Sequence, residues 1–174
     1  MCGFVGIINK NKQDVNSSLL RSMATTIHHR GPDEDGIFTE ANIGFFHKRL
    51  SIIDLSTGQQ PMHFNNCTIV FNGEIYNYIE LREELIKKNH QFKTTSDTEV
   101  LLHLYSEYGD DFINLLNGMF AFIIFDKTKN RLLIARDHFG IKPLYWYHDG
   151  EIIVFGSEIK ALLAHPAITA EPDQ

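Results

Sequence analysis

Residues 67–126 read CTIVFNGEIYNYIELREELIKKNHQFKTTSDTEVLLHLYSEYGDDFINLLNGMFAFIIFD. The stretch opens on an apolar, strand-like run at 67–71 and closes on another at 119–126. Between them lie segments with helix signals rather than strand signals. Asn77, followed three residues later by Glu80, predicts an N-cap and a capping-box acid opening a helix through Lys88. Ser96, Asp97 and Glu99 open a second helix through about Tyr108, and a short helix is expected at 111–116. A parallel doubly wound sheet would alternate strand and helix throughout. Strands, a helical pair and further strands instead predict a layered α+β fold with antiparallel sheets.

The flanks agree. Strand-like runs occur at 3–8, 36–39 and 43–47, and the spacing of Leu19, Leu20, Met23 and Ile27 predicts a helix within 15–29. Arg30-Gly31-Pro32-Asp33 stops it, because proline disfavours a helical residue before it and glycine favours turns. The polar segment 54–66 reads as a surface loop. Strands follow at 131–136, 143–148 and 151–155, with turns near Asn130 and at Gly150, and a closing helix at 157–164. Residues 1–164 thus form one domain, and 165–174, with two prolines and no periodicity, read as a linker-like tail.

Composition narrows the function. The 174 residues suffice for one compact domain with a sizeable core. The formal charge of −6 argues against non-specific nucleic-acid binding. No apolar run approaches the roughly 20 residues of a membrane span, and the N-terminus lacks a basic leader. Two cysteines, Cys2 and Cys67, make neither a disulfide scaffold nor a metal site, so a reducing cytoplasm is the expected compartment.

Cys2 carries the chemistry. Taken alone it reads as a small buried hydrophobe on the first strand. If Met1 is removed, which a small second residue permits, one residue holds both a thiol and a free α-amine. An α-amine has a pKa near about 8 and can take the thiol proton directly or through one water, so no histidine is required. Cys67, between Asn65-Asn66 and an apolar strand, reads as a core or edge residue. His28 and His29 are adjacent and point to different faces of a helix, which makes a shared metal improbable. No metal site is expected.

Seven strings occur in order: Met1-Cys2-Gly3, His29-Arg30-Gly31-Pro32-Asp33, Arg49-Leu50-Ser51-Ile52-Ile53-Asp54, Phe71-Asn72-Gly73-Glu74-Ile75-Tyr76-Asn77, Ser96-Asp97-Thr98-Glu99-Val100, Gly118-Met119-Phe120-Ala121-Phe122 and Arg136-Asp137-His138-Phe139-Gly140-Ile141-Lys142-Pro143-Leu144-Tyr145. Together they resemble the N-terminal glutaminase domain of glutamine-hydrolysing asparagine synthetases, a class II glutamine amidotransferase domain. The His-Arg-Gly-Pro-Asp and Asn-Gly-Glu-Ile-Tyr-Asn wording resembles that branch rather than the glucosamine-6-phosphate synthase or amidophosphoribosyltransferase branches.

The resemblance implies a four-layer αββα sandwich of the N-terminal-nucleophile hydrolase type, with antiparallel sheets and Cys2 at the end of a central strand. It implies hydrolysis of glutamine to glutamate and ammonia through a γ-glutamyl thioester. Asn72 and Gly73 are then the oxyanion hole, a side-chain amide beside a backbone N–H; Asn-Gly is otherwise a common hairpin turn. Arg49 is expected to hold the substrate carboxylate and Asp97 its ammonium, with Glu74 assisting. The plainer readings are a surface salt bridge for Arg49 and a helix N-terminal acid for Asp97. Leu50, Ile52 and Ile53 are expected at the pocket wall, and Arg30 is expected to order a loop over bound glutamine. Arg136, Asp137 and Lys142-Pro143 are either architectural or face a partner domain.

The implied partners are L-glutamine, a C-terminal synthetase domain in cis or in trans, and a second copy of the chain in a homodimer; nucleic acid and membrane are not expected. No cofactor is expected in this domain. ATP and magnesium belong to the synthetase domain, whose pyrophosphate loop does not occur in this sequence, and neither does a Walker-type motif. Competing readings are hydrolysis of another amide, ammonia supply to a synthetase with a different acceptor, and a non-catalytic docking domain if Met1 is retained.

Overall fold

A computed structural model describes residues 1–51 and 57–171. The chain divides into two compact units, Met1–Leu50 with the segment from Pro143 onward, and Ser51–Lys142.

The first unit is built on a five-stranded antiparallel sheet. Its strands are β1 (Gly3–Asn9), β2 (Glu34–Glu40), β3 (Ile43–Arg49), β8 (Tyr145–His148) and β9 (Ile152–Gly156), in the order β2-β3-β1-β9-β8. β1 lies in the middle, with Gly3 opposite Lys48 on β3 and Val5 opposite Gly156 on β9. The helices α1 (Ser17–Thr25) and α4 (Ile159–Leu163) bury Leu20, Met23 and Leu162 with Val5, Ile7, Phe46 and Val154. Asn16 caps α1, its Oδ1 accepting from the Ser18 and Leu19 amides at 2.8 and 3.2 Å. α1 stops sooner than the apolar spacing through Ile27 predicts. The Thr25 and Thr26 hydroxyls donate to the Arg21 and Met23 carbonyls, competing with helix bonds, and a 3₁₀ turn at His28–Arg30 follows. Beyond α4, Ile168 still packs into this core.

The second unit holds a four-stranded antiparallel sheet in the order β4-β5-β6-β7, formed by β4 (Met62–Phe64), β5 (Cys67–Ile75), β6 (Gly118–Asp126) and β7 (Arg131–Arg136). α2 (Tyr78–Lys87) and α3 (Asp97–Tyr108) bury Leu81, Leu85, Leu101 and Leu104 together with Phe71, Phe120 and Phe122.

Several expectations need correction here. The part of 54–66 that is described includes a strand, β4, rather than only loop. β5 does not end at 71 but continues through Asn72 and Gly73, so Asn-Gly is not a hairpin turn. The short helix expected at 111–116 is a 3₁₀ segment, Gly109–Leu115. Asn77 precedes α2 but its side chain caps no amide there. It bonds instead to the Leu115 carbonyl and the Asn117 N–H, 2.9 and 3.0 Å away. Ser96 behaves as expected, accepting from the Thr98 amide at 3.2 Å. Asp137 is architectural: its buried carboxylate gathers the amides of Phe120, Phe139, Ile141 and Lys142, which hold it below the usual carboxylate range although burial opposes them.

Candidate active site

In the first unit Cys2 stands immediately before the middle strand β1. Its thiol lies between the backbone groups of Leu50, 3.3 Å from the N–H and 3.4 Å from the carbonyl. Arg30 Nε donates to the Cys2 carbonyl at 2.9 Å. Two glycines make that approach possible. A Cβ on Gly3 would stand 2.9 Å from Arg30 Cδ, and one on Gly31 would stand 2.3 Å from the Lys48 carbonyl carbon and oxygen. Glycine lets the 28–31 turn lie directly on β3 and lets the Arg30 side chain cross the start of β1.

Arg30 is anchored at its far end by Glu158, 3.1 Å from Nη1; His29 and Lys160 also reach Glu158, at 2.8 and 3.0 Å. Partial burial raises the Glu158 carboxyl, but hydrogen bonds from Lys160, Arg30 and His29 outweigh it and bring it down to about 2. The Arg30 guanidinium is therefore fixed to the backbone of Cys2, within its own unit, by a group that sequence reading did not single out. Arg49 closes β3, almost fully buried, and donates from Nη1 to Glu34 Oε2 at 2.7 Å. Glu34 faces it across the β2–β3 ladder, so an acid in register orients the guanidinium fork. Leu50 follows, half-buried.

In the second unit the expected residues cluster on β5 and at the start of α3. Asn72 is 1% exposed, and its Nδ2 has no hydrogen-bond partner among the described residues. An unpaired buried donor costs about 1–3 kcal/mol. Gly73 lies opposite Phe120 on β6. Phe120 spends its N–H and carbonyl on Asp137, so no ladder bond joins it to Gly73. The Gly73 N–H points away from β6, as do those of Phe71 and Ile75, two residues to either side. A Cβ on Gly73 would stand 2.3 Å from the Met119 carbonyl oxygen and 2.8 Å from Phe120 Cα, so only glycine fits.

Asp97 begins α3 and is 4% exposed; its Oδ2 accepts from the Ile75 N–H at 3.1 Å. Burial pushes its carboxyl up to about 6, the Ile75 and Thr98 amides oppose the rise, and half-buried Glu74 adds a like charge that assists it. Cys67 differs in kind from Cys2. Burial, with Asp126 adding, pushes its thiol up to about 11, so it is protonated at neutral pH and unsuited to nucleophilic work.

Each unit therefore assembles part of the expected set: Cys2, Arg30, Arg49 and Leu50 in the first, and Asn72, Gly73, Glu74 and Asp97 in the second. Ile52 and Ile53 lie outside the described residues. Among the described residues no three His, Cys, Asp or Glu side chains form a group that could hold a metal ion. No helix among them is long and apolar enough to cross a membrane. Sequence reading missed Glu34, Glu158 and Gln60, the last of which bonds the Phe71 N–H at 2.6 Å. Their signal is spatial, since each meets its partner through folding rather than through a local pattern.

Comparison with known proteins gives a consistent picture. A family model described as a glutamine amidotransferase domain matches residues 1–174. The chain is 45% identical to glutamine-hydrolysing asparagine synthetase 3 of Bacillus subtilis, with all of this chain and 29% of that protein covered. It is 49% identical to asparagine synthetase 1 of the same organism, with 94% and 27% covered. The chain thus spans less than a third of the length of these relatives. Among solved structures, the glutamine phosphoribosylpyrophosphate amidotransferase of B. subtilis matches with a TM-score of 0.75 at 23% identity, covering 94% of this chain and 43% of that one. That likeness shows the fold, an α+β arrangement of antiparallel sheets and helices shared with an amidotransferase. With the family model matched from end to end, the chain belongs to the glutamine amidotransferase domain family.

Proposed function

We propose that the domain hydrolyses L-glutamine to glutamate and ammonia with Cys2, freed at the N-terminus by removal of Met1, as nucleophile. The observation that carries this reading is the Asn72 side-chain amide, buried without a partner among the described residues and followed by a glycine whose N–H points away from its ladder partner. Two such donors suit a transient oxyanion. Sγ attacks the glutamine side-chain carbonyl as the α-amine takes the thiol proton, and Asn72 and Gly73 stabilise the negative oxygen. Collapse expels the amide nitrogen, which leaves as ammonia with that proton, and a γ-glutamyl thioester remains. Water then attacks the thioester, passes a proton back to the thiol and releases glutamate.

Arg49, oriented by Glu34, is the group for the substrate carboxylate, and Asp97 with Glu74 that for the ammonium. Arg30 holds the backbone of Cys2 in place. Leu50 supplies the backbone groups beside the thiol. The ammonia is passed to a synthetase domain that activates aspartate with ATP and magnesium, and the compartment is the cytoplasm. Intact mass after incubation with a glutamine-like diazo ketone tests the reading. Loss of Met1 together with one adduct on Cys2, blocked by excess glutamine, is the expected result. A matured chain that stays unmodified and releases no ammonia would overturn it.

Asp97 adds a pH dependence of known sign. Its carboxyl, near 3.8 in an unfolded chain, is held at about 6 in the folded one. The native state therefore binds the proton more tightly, and stability falls as pH rises from about 4 to about 6. Relative to Asp97→Asn, the parent chain is expected to lose on the order of 2–3 kcal/mol across that window. Binding needs the opposite state. An ammonium is attracted by the ionised carboxylate, so KM for glutamine is expected to rise as pH drops below about 6 and to be high at every pH in Asp97→Asn. A KM flat between pH 5 and 7 in the parent chain would remove Asp97 from the substrate site.

A further inference from the structure

Beyond Ile69, β5 has a strand partner on one side only among the described residues, because β4 pairs with it at 67–69 and no further. The amides of Phe71, Gly73 and Ile75 face the open side, alternating with those that face β6. The outer two are met by side chains. Gln60 Oε1 accepts from the Phe71 N–H at 2.6 Å, and Asp97 Oδ2 from the Ile75 N–H at 3.1 Å. Gln60 is 9% exposed, and its Nε2 donates to the Thr98 hydroxyl at 3.3 Å, one residue beyond Asp97 at the start of α3. The strand edge is thus tied to α3 on both sides of Gly73, and the middle amide is not bonded among the described residues.

We propose that Gln60 is a positioning residue that fixes the direction of the Gly73 N–H for oxyanion stabilisation. The inference rests on the glutaminase reading and adds to it a residue outside the seven strings. Beyond Ile69 this stretch of β5 is held by the β6 ladder alone among the described strands, and an oxyanion donor loses its value once its angle and distance drift. Gln60 resists that drift by joining the Phe71 N–H to the start of α3 through one side chain. The substrate's carboxylate and ammonium lie with other residues, so the effect falls on the reaction step rather than on capture.

The test compares Gln60→Leu and Gln60→Glu in this chain. Glutamate keeps an acceptor for the Phe71 N–H and can accept from the Thr98 hydroxyl, whereas leucine keeps neither bond. Gln60→Leu is expected to lower kcat by about 10- to 100-fold, the range a small misplacement costs, with KM for glutamine essentially unchanged. The aldehyde analogue of glutamine, which adds to a thiol as a tetrahedral hemithioacetal, should bind more weakly by the same factor. Alkylation of Cys2 by iodoacetamide should keep its rate. Gln60→Glu should recover most of kcat. Hydrogen exchange supplies a readout independent of turnover, and the Phe71–Ile75 amides should exchange faster in Gln60→Leu. Unchanged exchange there, an unchanged kcat, or equal damage in both variants overturns the proposal. A parent chain that releases no ammonia overturns the glutaminase reading instead, and exchange at β5 then still decides whether Gln60 holds the edge.

Discussion

Cys2→Ala is expected to abolish ammonia release from glutamine while leaving the fold intact. Loss of a covalent nucleophile costs on the order of 10⁶-fold in hydrolases whose nucleophile and base act as a unit, and here one residue supplies both groups. Structure argues that little else changes. Cys2 is only half-buried, precedes β1 rather than lying within it, and its thiol meets only the Leu50 backbone among the described bonds. The bond that ties this end of the chain down runs from Arg30 to the Cys2 carbonyl, which alanine retains. Alanine is also small enough at the second position to permit removal of Met1, so parent and variant can be compared with the same N-terminus. Ammonia production and thermal unfolding measured side by side check this. Turnover that survives the substitution sinks the nucleophile assignment, and a large drop in melting temperature would assign Cys2 a structural role instead.

How far the sequence could be read depends on where each signal resides. Apolar runs such as 119–126 and 131–136 carry their own evidence, and both are strands as expected. Ser96 was legible because its cap bond spans two residues. Asn77 carried the same kind of signal and was misread, since its side chain finds Leu115 and Asn117 across space and leaves the helix uncapped. β4 was hidden because three residues around a polar His63 make no pattern. The Asn72-Gly73 pair is the instructive case. Propensity favours a hairpin turn, but the strand continues because Gly73 alone tolerates the Met119 and Phe120 backbones that close on it. Local propensity therefore misreads the backbone there, where β5 runs on to Ile75. Glu34, Glu158 and Gln60 were beyond reach for a single reason: nothing in a lone sequence says that an acid at 158 will meet an arginine at 30.

Asn72 offers the sharpest separation of function from stability, because its two expected effects have opposite signs. Its amide nitrogen is buried and unpartnered among the described residues, a state that burdens the folded chain by about 1–3 kcal/mol. In the tetrahedral intermediate the same donor gains a charged partner, and such donors are worth about 2.7–4 kcal/mol. Asn72→Leu, close in size and without the donor, is therefore expected to lower kcat by about 10²- to 10³-fold. KM for glutamine should change little, since the ground-state carbonyl needs the donor less than the oxyanion does. Unfolding by denaturant should show stability equal to or above that of the parent chain. Gly73→Ala supplies the contrast: a methyl placed 2.3 Å from the Met119 oxygen should destabilise the fold as well as the rate. If Asn72 served only the architecture of β5, Asn72→Leu would behave like Gly73→Ala and lose stability first. A variant that unfolds early, or that keeps the parent kcat, would remove Asn72 from the oxyanion hole; a slow but sturdier enzyme is what an unpaired, preorganised donor requires.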